Sequence, residues 1–202
     1  MVRFEESFWA SSEKVMSDEW QDAAVTRGVW GMAAGMRVAT GYGWRPVEAV
    51  AVGDMVLTFD HGMQRVTGVT RQVMWSGAVG NPADWPLLVP EGVLGNHDPM
   101  TILPGQAVII ESDLAEKMFG EPFVTIPAAA LAGFRGIQRH LAARHIDVVL
   151  LSFAEEQVIF ANCGALFLCP ERQDLLNARR PSGAYEPVSI EVARVMLEGM
   201  QG

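Results

Sequence analysis

The 202-residue sequence is short of cysteine, of basic side chains and of long apolar runs. Its two cysteines, Cys163 and Cys169, cannot staple a small disulfide scaffold, so the fold has to rest on a packed core. Fifteen Lys and Arg stand against 24 Asp and Glu, for a net charge of −9. The cations are scattered, and a nucleic-acid surface needs them clustered. No apolar stretch approaches the roughly 20 residues of a membrane span. The opening, MVRFEESFWASSEKVMSDEW, has no apolar h-region of the kind a secretory signal requires. A cytoplasmic protein with reduced thiols, no nucleic-acid partner and no membrane partner is the expectation.

What the sequence does have is apolar and turn-forming. Half of it is hydrophobic, and it carries 20 glycines and 11 prolines. A chain of this length can bury a sizeable single core. The Gly and Pro load favours short strands and tight turns over long helices.

Three regions are expected. Residues 1–28 read as a helical lead-in, in which Ser12 could cap a helix with Val15, Met16, Trp20, Ala23 and Ala24 on its inner side. Residues 29–170 read as a β-domain, and 171–202 as a linker and helix. In the middle region Met36–Thr40 and Trp44–Val47 flank Gly41-Tyr42-Gly43 as a hairpin. Met55–Phe59 ends in the turn signal Asp60-His61-Gly62, and Met63–Trp75 could be one long strand bent at Gly68. Leu87–Val89, Met100–Leu103 and Ala107–Glu111 are further strands. Asp113–Phe119 is expected as a helical turn with an acidic cap, and Ile126–Leu131 as another. Val148–Phe153, Gln157–Ala161 and Ala165–Leu168 complete the strands, the last two joined at Asn162-Cys163-Gly164. Ser189 caps a final helix in which Ile190, Ala193, Met196, Leu197 and Met200 recur at helical spacing.

The segment GMRVATGYGWRPVEAVAVGDMVLTFDHGMQRV, Gly35–Val66, resembles the opening of bacterial Hint (hedgehog/intein) domains. That opening is a Cys, three residues and G-T-R-[IV]-x-T, then R-P-V-E-x-L, x-x-G-D-x-V-L-T and a D-x-G turn. Leu88–Ile110 resembles the family's S-P-x-H segment, and Asp147–Gly164 its H-L-L-F…F-A-N-G block. The resemblance implies an all-β (β-rich) Hint-type fold with short helical turns and flanking N- and C-terminal helices. It also implies self-processing chemistry, in which a Cys or Ser at the first position attacks the preceding carbonyl.

At the positions that matter, this sequence departs from that pattern. The nucleophile position falls on Gly31, which has nothing to attack with; Met32 and Ala33 cannot stand in for it. The S-P-x-H positions fall on Leu103 and Gln106, and glutamine cannot transfer a proton near neutral pH. The histidines of the third block correspond to Leu150 and Glu156. The terminal His-Asn pair of inteins corresponds to Phe167 and Leu168, followed by a retained Cys169. Asn162 belongs to the F-A-N block and reads as a turn residue. No catalytic residue is expected, with Glu156, Asn162 and Cys169 as remnants that could substitute.

Outside the resemblance, Gly95-Asn96-His97-Asp98 matches a metal-binding string of phosphoesterases, with His97 and Asp98 as weak metal candidates. The D-x-H and G-D-x-x-[DN] blocks those enzymes need are missing, so a polar turn before Met100 is the plainer reading. His140 and His145 lack a third ligand. No cofactor is expected. The leading expectation is a non-processing Hint-like module that binds an unidentified protein partner or serves a structural role. The alternatives are a self-cleaving domain using substitute residues and a metal-dependent hydrolase.

Overall fold

Short runs of β-branched and aliphatic residues, punctuated by glycine, pair into antiparallel strands along most of the chain. The structure is a computed structural model that describes residues 31–74, 82–140, 145–171 and 185–200. The strands are β1 (Met32–Ala33), β2 (Arg37–Thr40), β3 (Gly43–Pro46), β4 (Met55–Thr58), β5 (Gly62–Arg65), β6 (Gly68–Met74) and β7 (Leu87–Val89). They continue as β8 (Met100–Ile102), β9 (Ala107–Glu111), β10 (Phe123–Pro127), β11 (Gln138–Arg139), β12 (Ile146–Ser152), β13 (Gln157–Ala161) and β14 (Ala165–Cys169). Among the described residues two α-helices accompany them, α1 (Asp113–Phe119) and α2 (Ile190–Gly199). The predicted helix after Ser12 lies outside the described residues.

The main sheet runs β10-β9-β14-β13-β2-β4-β5, with β3 paired to β2. Two smaller sheets are ordered β1-β12-β6 and β11-β7-β8. One face of the main sheet packs on the principal core, where Val38, Val56, Ile126, Ile159 and Phe167 are fully buried. The helix α2 closes that core with Ala193, Met196 and Leu197, and the Ser189 hydroxyl accepts from the Val192 amide as its cap. The other face carries a separate apolar cluster of Ala107, Ile109, Val158 and Leu168.

Several expectations needed adjustment. Met63–Trp75 is not one bent strand: β5 and β6 belong to different sheets, and Thr67 crosses between them to bond the Ser152 carbonyl at 2.8 Å. Trp75 itself lies outside the described residues. The cap of α1 is Ser112, whose hydroxyl accepts from Ala115 N–H, and not Asp113, which sits in the first turn. In the predicted helical turn Ile126–Leu131, Ile126 and Pro127 continue β10 and only Ala128–Leu131 is helical, of 3-10 type. Pro127 makes this division possible, since it is an edge-strand residue that also precedes the helical turn.

Candidate functional site

The short strand β1 pairs with β12 in the register Met32↔Val149, which brings Gly31 level with Leu150. Here the chain is tightly enclosed. Gly31 has φ +116°, and a Cβ added to it would lie 2.8 Å from Val148 Cγ1 and 2.9 Å from the Val149 carbonyl oxygen. Both values are shorter than real Cβ contacts, and one of the obstacles is backbone. Position 31 is therefore restricted to glycine by conformation and by space.

The neighbour that faces Gly31 is Gln106, which is 3 % exposed at the bend before β9. Its side chain makes three hydrogen bonds, all to backbone. The Gly31 N–H donates to Gln106 Oε1 at 3.3 Å. Gln106 Nε2 donates to the Ala107 and Leu168 carbonyls, both at 2.9 Å. This pattern fixes the amide's orientation, since the nitrogen faces two acceptors and the oxygen one donor. The bend itself is held by the Gln106 N–H donating to the Leu103 carbonyl at 3.0 Å and by Ala128 N–H donating to the Gln106 carbonyl at 2.8 Å.

Gly31, Leu103, Gln106 and Leu168 thus come together from three distant parts of the chain, with Leu150 beside them. Their side chains are inert. Leu103 is fully buried with Ala33, Ile146 and Val148. Leu168 points into the second-face cluster and offers only its carbonyl to Gln106. Leu150 is half-buried opposite Thr70.

The possible substitutes fall elsewhere or are unreactive. Cys169 follows Leu168 but is 2 % exposed, and burial pushes its thiol up to about 12. At neutral pH it stays protonated and shielded, a poor nucleophile. Asn162 sits at the opposite end of the β13–β14 hairpin from the Gln157↔Cys169 pair. With φ +43°, it accepts from Arg37 N–H through Oδ1 at 2.8 Å, and its own N–H donates to the Arg37 carbonyl at 2.8 Å. It clamps a turn onto β2. Gly164, in the same turn, packs directly on Gly95, with no room for a Cβ between them. The Glu156 Oε1 is buried without a hydrogen-bond partner. Burial, and then the Glu171 carboxylate, raise its pKa above the usual carboxylate range.

The Gly95–Asp98 string is built around Asn96, which is 1 % exposed. Its amide nitrogen donates to the Pro90 and Asp98 carbonyls at 2.9 Å each, and its Oδ1 accepts from Leu94 N–H at 3.0 Å. Both ends of the Asn96 amide are thus tied to the backbone of its own turn. His97 and Asp98 face solvent, 3.5 Å apart. Among the described residues no three His, Cys, Asp or Glu side chains are grouped closely enough to hold a metal ion. His140 and His145 are both exposed. Cys163 is exposed, and both cysteines are free.

The sequence gives no sign of the closure over Gly31 by Val148 and Val149, or of the three-bond grip of Gln106. The one available signal is the glycine at position 31, whose φ cannot be read from its neighbours.

The profile of the family described as "Hint domain" matches residues 30–166. Among solved structures, the bacterial intein-like domain from Clostridium thermocellum aligns at 12% identity and TM-score 0.49, covering 69% of this chain and 98% of its own. The MchDnaB-1 intein aligns at 18% identity and TM-score 0.40, covering 67% and 98% respectively. The gp41-1 intein aligns at 11% identity and TM-score 0.43, covering 70% and 98%. No curated protein matches the sequence.

Proposed function

The chain belongs to the Hint-domain family, and within it we propose a non-processing member that keeps the fold as a binding or structural module. The observation that carries this reading is the Gln106 side chain. It occupies the junction between the first position of the domain and the last strand, and it satisfies three backbone groups there. Self-processing of the family's kind begins when a thiol or hydroxyl attacks the preceding carbonyl. It then needs a proton for the departing nitrogen. Position 31 has no such atom and no space for one. Gln106 has no titratable proton to give.

The substitutes are poorly disposed for those steps. Cys169 is buried with a raised pKa. Asn162 accepts from the Arg37 N–H of β2 through its Oδ1, at the far end of the hairpin from Cys169. What remains is a rigid scaffold whose former reaction centre is a hydrogen-bonded buttress. Acting through a surface, such a module would serve an unidentified protein partner in the cytoplasm, where free thiols such as Cys163 and Cys169 persist. Among the described residues no helix is long and apolar enough to cross a membrane.

A trapping experiment tests this. Hydroxylamine cleaves an ester or thioester that forms transiently in the chain, and dithiothreitol cleaves a thioester. Incubation with either should release no fragment. A hydroxamate or thiol adduct at residue 30 would establish that an acyl shift still occurs.

A further inference from the structure

Strand β4 gives Val56 to the principal core and buries Thr58 beside it, so Met55, Leu57 and Phe59 point to the second face of the main sheet. Met63 stands opposite Leu57, and Arg65 opposite Met55. Trp44 reaches the same face, because it pairs with Ala39, the neighbour of the core residue Val38. The hairpin that carries Trp44 touches Met63, whose Cε would lie 3.3 Å from a Cβ built on Gly41. Further along, the Phe59 ring meets Phe123 edge to face, with centroids 5.0 Å apart. Phe123 pairs with Glu111, two residues along β9 from Ile109 of the second-face cluster. Trp44, Leu57, Met63, Phe59 and Phe123 thus form one strip, and each is 36–41% exposed. At roughly 200 Å² for a whole side chain of this size, together they leave about 400 Å² of apolar surface in water. A patch of that size on a protein surface is commonly a contact site. A standard interface buries about 800 Å² on each partner, of which about 450–520 Å² is apolar. The strip supplies most of that apolar share.

We propose that this strip docks a second copy of the chain, face to face about a twofold axis. Charge selects a second copy over other occupants. The net charge of −9 makes two copies repel at a distance, yet the strip itself ends in opposite charges. At the Met55 end stands the exposed Arg65, whose Nη1 donates to the Gly53 carbonyl at 3.2 Å and whose guanidinium keeps further donors. At the Phe123 end stands the exposed Glu111, with the exposed Asp60 next to Phe59. A twofold axis between Leu57 and Phe59 lays the basic end of each copy on the acidic end of the other. Because such an interface is isologous, each attraction is made twice. A uniformly acidic or uniformly basic partner would match one end of the strip and be repelled by the other. The apolar centre supplies the area and the two charged ends set the register.

The test is sedimentation velocity of the full chain over a range of protein concentrations, with far-UV circular dichroism to confirm the fold of each variant. The parent should sediment at twice the 22.0 kDa chain mass at high concentration and dissociate on dilution. Leu57→Asp should raise the dissociation constant at least tenfold. Arg65→Glu and Glu111→Arg should each weaken association by a similar factor. An equimolar mixture of these two charge variants should recover a dimer within threefold of the parental affinity, since both contacts of the heterodimer then join opposite charges. A parent that stays monomeric at every concentration would overturn the proposal. So would a dimer that Leu57→Asp leaves unchanged, or charge variants that fail to recover on mixing. If Leu57→Asp loses its fold, the two charge variants, both at exposed positions, carry the test with the same outcomes.

Discussion

Replacing Gly31 by alanine adds a single methyl group and tests whether the reaction centre is closed by geometry. The backbone there has φ +116°, which a residue with a Cβ adopts at a cost of about 1–2 kcal/mol. The new methyl would lie 2.8 Å from Val148 Cγ1 and 2.9 Å from the Val149 oxygen. Crowding of this kind in a packed interior costs a further ~1–3 kcal/mol. The valine methyl can rotate aside, but the carbonyl cannot move without disturbing β12. The sum is about 2–5 kcal/mol, centred on ~3.5. For a chain of this size the central value lowers the thermal midpoint by about 7–14 °C. Urea unfolding monitored by tryptophan fluorescence and circular dichroism measures it directly, with a lowered midpoint at unchanged slope. An alanine variant within ~0.5 kcal/mol of the parent, the usual range for an innocuous surface change, would refute the reasoning. Gly31→Cys should be destabilised at least as much, so the change that supplies a nucleophile also disrupts the site that must position it.

Four other outcomes follow from the geometry. Gln106→Ala strands the Gly31 N–H and the Leu168 and Ala107 carbonyls, and should cost about 3–5 kcal/mol in urea unfolding, since each buried orphan costs roughly 1–3 kcal/mol. In a thiol titration of the native protein, Cys163 should react with Ellman's reagent while Cys169 reacts only after guanidinium is added. For Glu156 the folded state raises the pKa, so its contribution is most favourable below the ordinary carboxylate value of 4.5 and is lost as pH rises through the higher folded value. Glu156→Gln should accordingly gain stability relative to the parent between pH 4 and pH 7, and parallel unfolding curves across that range would contradict this. Asn162→Ala should lose about 1–3 kcal/mol through the stranded Arg37 amide and the left-handed backbone, with no change in the chain's fragmentation pattern.

Much of the fold was legible because it is written in short-range chemistry. The alternation in Met36–Thr40 and Met55–Phe59, with the intervening Gly and Asp turns, sets strands and their ends locally. The Ser189 cap and the spacing of Ala193, Met196 and Leu197 identified α2 and its inner side from sequence alone. The separation of β5 from β6 was not legible, because Gly68 marks a break without saying which sheet each half joins. The identities of Gly31, Leu103, Gln106 and Leu168 were readable one by one. Their consequences were not, since the bonds of Gln106 to Gly31 and Leu168 span 75 and 62 residues. The bond between Asn162 and Arg37 is equally non-local, spanning 125 residues, whereas those of Asn96 stay within six residues; both side chains serve as turn hubs.

The most direct test of the central claim is the intact mass of the purified full chain after overnight incubation with and without thiol. The account predicts one species at the full 22.0 kDa in both conditions. Discrete fragments whose masses place a cut beside Trp30 or Cys169 would contradict it and restore self-processing to this chain.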